Sequence, residues 1–261
     1  MSNPDLSRRR LMSATLAGMS TWLLAGCDRL NNSSWFPRIL QSGETLSERV
    51  HKLIGRRAMA QEFTDADVSP RFRGNGNTDP EDPDYQAHVR AGFAEWALVV
   101  DGLVEHPRKF TLQELKSMPS RTQITRHDCV EGWSAIGKWT GVPLGQVLAR
   151  ARPTALARYV VFHCADAFPG SDASDEPTPY YESIDMDDAY HAQTILAYEL
   201  NGELLPVTNG APLRLRVERQ LGYKHAKYIM RVELAQSLKD IGEGKGGYWE
   251  DSAGYQWYAG I

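Results

Sequence analysis

The chain has 261 residues, 42% hydrophobic and 24% charged, with 29 Lys and Arg against 33 Asp and Glu for a net charge of -4. That length suits one large domain able to bury its own core, and the composition is that of a soluble globular protein. The mildly acidic balance provides no polyanion-binding face, which argues against nucleic acid as a partner.

At the N-terminus, Ser7-Arg8-Arg9-Arg10-Leu11-Met12 precedes an apolar, small-residue stretch from Ala14 to Ala25 that carries no acidic residue. The stretch is too short to span a bilayer comfortably, and its order of basic, apolar and small residues is that of an export signal. The paired arginines predict the twin-arginine route, which carries proteins already folded. Leu23-Leu24-Ala25-Gly26-Cys27 resembles a lipobox, so residues 1–27 are expected to be an export signal that leaves the mature chain lipid-anchored through Cys27 in the periplasm. The plainer alternative is an ordinary cleaved signal. Asp28 resembles the residue that retains some lipoproteins at the inner membrane.

From 28 to 93 the chain is polar and broken by Pro and Gly, with a short helix expected over Ser47–Ala60 and an acidic, turn-rich stretch at Thr78–Tyr85; this segment should wrap a core, not form one. The compact part, 94–240, opens with a strand at Trp96–Val100 closed by the turn signal Asp101-Gly102. A short helix capped by Thr111 follows, then a second with apolar spacing at Leu144, Val147 and Leu148. Arg158–His163, Thr194–Leu200, Leu213–Val217 and Tyr228–Leu234 read as strands, and the alternation of apolar and basic residues in Leu213–Val217 predicts one buried face. Short helices among antiparallel-looking strands indicate an α+β (mixed) fold, and no G-x-G-x-x-G opens a βαβ unit. The aromatic-rich tail, 241–261, should pack over the body as a surface cover.

Only three cysteines are present. Cys129 lies in Arg126-His127-Asp128-Cys129-Val130-Glu131-Gly132-Trp133, among ionisable and aromatic neighbours that suit binding or reaction. It could be a nucleophile with His127 as base, a metal ligand, half of a disulfide with Cys164, or an inert thiol. A zinc set of His127, Cys129, His163 and Cys164 is weakened because adjacent strand residues face opposite ways.

Several motifs then occur in order: Cys-Val-Glu-Gly-Trp at Cys129, Trp139-Thr140-Gly141-Val142-Pro143-Leu144, Leu196-Ala197-Tyr198-Glu199-Leu200-Asn201-Gly202, and Asn209-Gly210-Ala211-Pro212-Leu213-Arg214. Over roughly Phe72 to Leu234 they resemble the molybdopterin-binding domain of the sulfite oxidase family. The likeness is greatest to the bacterial branch that includes the catalytic subunit of periplasmic protein-methionine-sulfoxide reductase. The resemblance implies that Cys129 supplies the one protein thiolate to a molybdenum held by molybdopterin in its mononucleotide form, a soft ligand for such a metal. It also implies that Asn209 and Arg214 contact pterin and phosphate, Arg214 through its bidentate fork. His225, Ala226 and Lys227 of the loop Gly222–Lys227 would close around the pterin, and Phe72, Arg73 and Asn75 would lie along the cofactor.

This sequence departs from the family pattern at Cys164, where the reductase branch has a small hydroxyl residue touching the cofactor, and at Asp128, where related chains carry a basic residue. The immunoglobulin-like domain of sulfite oxidases proper is not expected, so a monomeric catalytic subunit is. The implied reaction is two-electron oxygen-atom transfer on a small sulfur-containing or S-oxide substrate, with the Tyr181 hydroxyl, or in competition that of Tyr180, at the metal's open position. Without a Cys-x-x-Cys-His or an iron–sulfur cysteine set, electrons would pass to a separate membrane haem b subunit or c-type cytochrome. Sulfite oxidation would need an anion pocket, for which Arg121, Arg126 and Arg216 are candidates. Asp128, Asp166 and the acidic loop from Asp172 to Glu176 lean instead toward S-oxide reduction. A non-enzymatic anchored binding or assembly lipoprotein is the reading of another class.

Overall fold

The computed structural model describes residues 58–168 and 176–261, with scattered positions between 33 and 50. Residues 1–56 group apart from 57–261. The described positions from 36 to 50 are helical; residues 58–60, the end of the helix expected over Ser47–Ala60, are irregular. The export signal, Cys27 and most of the acidic Asp172–Glu176 loop lie outside the described residues. Among those described, no helix is long and apolar enough to cross a membrane.

Within 57–261, helix α1 (Pro83–Arg90) starts inside the stretch expected to be all turn, because Asp82 accepts the Tyr85 N–H at 2.7 Å and Pro83 fits the first turn. Strand β1 (Ala97–Gly102) runs through Asp101-Gly102, which the sequence assigned to a turn. Both residues pair with Glu233 and Leu234 in a parallel ladder, and the close Leu234 carbonyl leaves no room for a Cβ at Gly102 (φ +79°). After β2 (Arg108–Thr111) comes α2 (Leu112–Ser117), held by a reciprocal capping box between Thr111 and Glu114. β3 (Arg121–Cys129) and β4 (Trp133–Pro143) form a hairpin, and α3 (Leu144–Ala151) buries Leu144, Val147, Leu148 and Ala151. The remaining elements are β5 (Tyr159–Phe168), β6 (Thr178–Asp185), α4 (Met186–Ala189), β7 (Ile195–Leu200), β8 (Glu203–Leu204), β9 (Arg214–Arg216), β10 (Ile229–Ala235) and α5 (Tyr248–Ala253).

Two five-stranded sheets result. One has the order β2-β1-β10-β5-β6, parallel only between β1 and β10; the other runs β3-β4-β7-β8, with β9 also paired to β7. This is the mixed α+β architecture expected. The main core joins Trp96, Leu98, Val100, Phe110, Val142, Leu148, Val160, Phe162, Leu215 and Val232, all fully buried. Burying each such side chain contributes roughly 1.5–3 kcal/mol. A second cluster gathers Trp139, Ile195, Ala197, Leu200 and Leu205 under Phe72.

Strand β9 departs from the one-sided pattern read from its sequence. Arg214 and Arg216 are as fully buried as Leu213 and Leu215. Residues 62–72 run along the β3–β4 hairpin, with Phe63 N–H donating to the Ile124 carbonyl, Ser69 N–H to the Ile136 carbonyl, and Phe72 packed on Trp133 and Trp139.

The tail is held by a buried charge cluster. The Lys224 ammonium bonds Glu182 of β6 and, at 2.8 Å, Glu250 of α5, with all three side chains inaccessible. Burial, opposed by Lys224, pushes the Glu182 carboxyl well above its ordinary range. Removing the one cation strands two buried carboxylates, so Lys224→Met should destabilise the domain by about 3–5 kcal/mol in denaturant unfolding. A loss below about 1 kcal/mol would show that the cluster does not hold the tail.

Candidate functional site

The site is a cleft of about 200 Å³ where the tip of the β3–β4 hairpin meets the loop Gly222–Lys227 and the tail. Cys129 is the last residue of β3, and the turn after it closes through a Gly132 N–H to Cys129 carbonyl bond of 3.0 Å. Gln123, Thr125, His127 and Cys129 are the buried positions of the alternating strand, so His127 and Cys129 share its inner face. Asp128, on the other face, pairs with Arg126 at 3.0 Å and with Ser134.

Of the residues the sequence singled out, Asn75, Cys129, His225 and Lys227 line the cleft. The Lys227 ammonium donates to the carbonyls of Asn75 and Asn77, so one contact tethers the segment 72–76 to the Gly222 loop. Burial, with Arg214 nearby, lowers the Lys227 pKa to about 8. Gly210 (φ +109°) sits where a Cβ would lie 2.9 Å from Lys227 and 3.3 Å from Arg214, which keeps Asn209 and Arg214 next to that lysine. Phe72 packs edge-on against Trp139 at 4.9 Å, and the Arg73 guanidinium lies 5.3 Å from the Trp133 ring centre. Ala226 is buried and its carbonyl accepts the Leu215 N–H at 2.8 Å, which ties the loop to β9.

Tyr181 and Cys164, both expected at the cofactor, are not among the residues that line the cleft. The Tyr181 hydroxyl bonds the Asp251 carboxylate and approaches the Ile241 carbonyl, away from the cleft; Tyr180 lines the cleft instead, its hydroxyl donating to the Tyr223 carbonyl at 2.6 Å. Successive strand residues point to opposite faces, and Ile241 and Asp251 of the tail take the Tyr181 hydroxyl. Cys164 lines an adjoining hollow with Asn77, Asp79 and Asp82; it and Cys129 are free thiols, so no disulfide joins them. Among the described residues no group of His, Cys, Asp and Glu is arranged to hold a metal by itself, and His163 bonds Glu233 at 2.8 Å.

Other cleft residues escaped the sequence reading. Glu131 accepts from Trp133 Nε1 at 3.0 Å and from the Gly76 N–H at 3.1 Å, which lower its pKa. Phe168, Tyr223, Trp249 and Tyr255 form aromatic walls, the last two supplied by the tail. Asp166, counted from the sequence among the acidic residues leaning toward S-oxide reduction, is 2% exposed and also lines the cleft. The Cys-Val-Glu-Gly spacing could have revealed Glu131, since a tight turn after Cys129 brings it back beside the thiol; nothing local marks Trp249 or Tyr255.

The buried polar atoms around this cleft do not satisfy one another. Asn75 Oδ1, His127 Nε2, Asn209 Nδ2, Arg214 Nε and Nη2, and His225 Nδ1 have no hydrogen-bond partner. Arg216, with the same burial, is paired bidentately to Glu218 at 2.9 and 2.6 Å; Arg214 makes one bond, to the Asn209 carbonyl at 2.9 Å. Burial and the neighbouring Arg216 lower the Arg214 pKa to about 9. A buried cation with two orphan donors, beside an amide and two imidazoles, fits an anionic, polar cofactor that brings a phosphate and ring heteroatoms.

The family model for the oxidoreductase molybdopterin binding domain matches residues 85–240. The chain belongs to that family. It is a molybdopterin-binding oxidoreductase domain, and the donor set described above fits that cofactor. Among curated relatives, the "Putative protein-methionine-sulfoxide reductase subunit YedZ1" of Azospira oryzae is 44% identical over 167 residues, 64% of this chain and 56% of that one. The protein-methionine-sulfoxide reductase catalytic subunit MsrP of Xanthomonas axonopodis pv. citri is 41% identical over 167 residues, 62% and 52% of the two chains. This chain thus spans about half the length of the curated relatives it matches. The solved sulfane dehydrogenase SoxCD from Paracoccus pantotrophus aligns with a TM-score of 0.47 at 25% identity, over 55% of this chain and 39% of that one.

Burial raises the Asp166 pKa from 3.8 to about 7, with Lys227 opposing. A carboxyl whose folded pKa is raised stabilises the fold below its unfolded value, and that contribution is lost as pH rises through the folded one. The cofactor-free chain should therefore lose on the order of 2–4 kcal/mol between about pH 4 and pH 7 through this group. Asp166→Asn should flatten that part of the melting profile; an unchanged profile would show that Asp166 is not the group responsible.

Proposed function

We propose that this domain reduces S-oxides of the methionine sulfoxide type by two-electron oxygen-atom transfer. The observation that carries this reading is the character of the cleft beside Cys129. Its one cationic side chain among the described residues is Lys227, and its walls are Phe168, Tyr180, Tyr223, Trp249 and Tyr255. A sulfoxide is neutral, with an acceptor oxygen and apolar substituents, and suits such a cleft; sulfite carries charge and would call for clustered arginines. The three candidate arginines are engaged elsewhere: Arg121 with Glu62, Arg126 with Asp128 and Arg216 with Glu218. Two relatives named as protein-methionine-sulfoxide reductase subunits support the same direction.

When bound, molybdenum on molybdopterin supplies the oxygen-accepting, two-electron chemistry. The chain's share begins with Cys129, whose burial raises its thiol pKa, so that metal coordination and not local pH would hold it as thiolate. Lys227 spends two of its three donors on the carbonyls of Asn75 and Asn77, which leaves one for an acceptor oxygen in the cleft. The aromatic walls exclude water and seat the thioether substituents. Electrons would come singly from a separate haem protein. The Arg8-Arg9 signal and Cys27 support export by the twin-arginine route to the periplasm with a lipid anchor, which an acylated Cys27 in the intact mass of the mature protein would verify.

With reduced viologen as donor, the purified holoprotein should turn over methionine sulfoxide and dimethyl sulfoxide, and should fail to oxidise sulfite with ferricyanide. Cys129→Ser should lower that turnover at least about 100-fold, as loss of the metal's only protein ligand implies. Sulfite oxidation with inert S-oxides would reverse the assigned direction.

A further inference from the structure

We infer that His127 is a positioning residue for molybdopterin, locked by Arg216 and Glu218 as a fixed N–H donor toward the pterin. The proposal rests on the cofactor, not on the sulfoxide substrate.

The chain of bonds determines the tautomer. Glu218 takes Arg216 Nε and Nη2 as a fork, and Gln123 Nε2 donates to the same carboxylate at 2.9 Å. The remaining Arg216 nitrogen, Nη1, lies 3.0 Å from His127 Nδ1. A guanidinium has donors and no acceptor, so Nδ1 must accept and the neutral imidazole carries its proton on Nε2. That Nε2–H is buried and has no partner in the protein.

Its surroundings are the residues expected to hold the cofactor. The ring lies 5.8 Å from Phe72 and 5.0 Å from His225, centre to centre, and a Cβ on Gly222 would fall 2.6 Å from Nε2. Only glycine therefore lets the loop, which lines the cleft, pack against the edge of the ring that carries the donor. His225 is fixed in the complementary sense: its Nε2 donates to the Gln220 carbonyl at 3.0 Å, which leaves Nδ1 as a free acceptor. A donor on one ring and an acceptor on the next suit a heterocycle that presents both along one edge, as a pterin does. A buried donor left without a partner is costly, a penalty that binding such a ring would remove.

The test compares His127→Phe, which keeps a packed ring without the donor, with His127→Gln, which restores an N–H on a side chain of similar reach. Molybdenum and oxidised-pterin fluorescence are measured per chain after gel filtration, with melting of the cofactor-free proteins alongside. His127→Phe should retain at least fivefold less pterin while its cofactor-free melting stays near wild type, and His127→Gln should retain most of it. A full pterin complement in His127→Phe overturns the proposal, as does equal loss in both variants. Should His127→Phe not fold, imidazole ¹⁵N NMR of the wild-type chain decides: an Nε2-protonated His127 whose shift changes between cofactor-free and molybdenum(VI)-loaded protein supports the proposal, whereas an Nδ1-protonated ring or an unchanged shift overturns it. Sulfoxide turnover is not a readout, so the substrate assignment can fail without affecting this result.

Discussion

The molecule is organised around a buried guanidinium that the protein leaves without a counter-charge. Arg214 and Arg216 come from one three-residue strand, are both inaccessible, and lie 4.9 and 4.5 Å from the Trp139 ring centre. Arg216 has the Glu218 carboxylate; Arg214 has one backbone carbonyl. Burying a cation without an anion is costly, which marks Arg214 as a place where an anionic group can be bound.

The architecture brings the other parts of the site to that point. Pairing of β9 with β7 and of β7 with β4 sets the arginines over Trp139, and the β3–β4 hairpin carries Cys129 at its tip. The Gly222 loop is tied to β9 through the Leu215–Ala226 bond, and Lys227 of that loop ties in the segment at Asn75. The tail, clamped through Glu250 on Lys224, closes the cleft with Trp249 and Tyr255, residues beyond the stretch matched by the family model. Cys129, the orphan donors of Asn209 and Arg214, and the aromatic walls of the cleft thus come from separate parts of the chain that meet only in the folded domain.

Much of this was legible in the sequence where the cause is local. The Thr111–Glu114 capping box, the apolar spacing at Leu144, Val147 and Leu148, and the strands through Tyr159 and Ile195 follow from short-range patterns. The motifs around Cys129 and Lys227 likewise pointed to residues that line one cleft, and the Asn209 motif to a glycine, Gly210, that packs against Lys227. What escaped depends on distant packing. Alternation cannot decide which of Tyr180 and Tyr181 faces inward, because that phase is set by a tail some sixty residues further on. Alternation in Leu213–Val217 predicted only one buried face, since Glu218 and Trp139, which make burial of the basic residues tolerable, are not visible in a five-residue window. The Asp101-Gly102 turn failed for a similar reason, because its partner strand, β10, lies far along the chain.

The central claim, that Arg214 is held for an anion the cofactor brings, is tested most directly by Arg214→Met, which keeps a long side chain and removes the charge. The account predicts opposite signs in the two states: the cofactor-free variant should melt higher than the cofactor-free wild type, while the variant retains markedly less molybdopterin per chain. A cofactor-free variant that melts lower, together with undiminished molybdopterin, would contradict it.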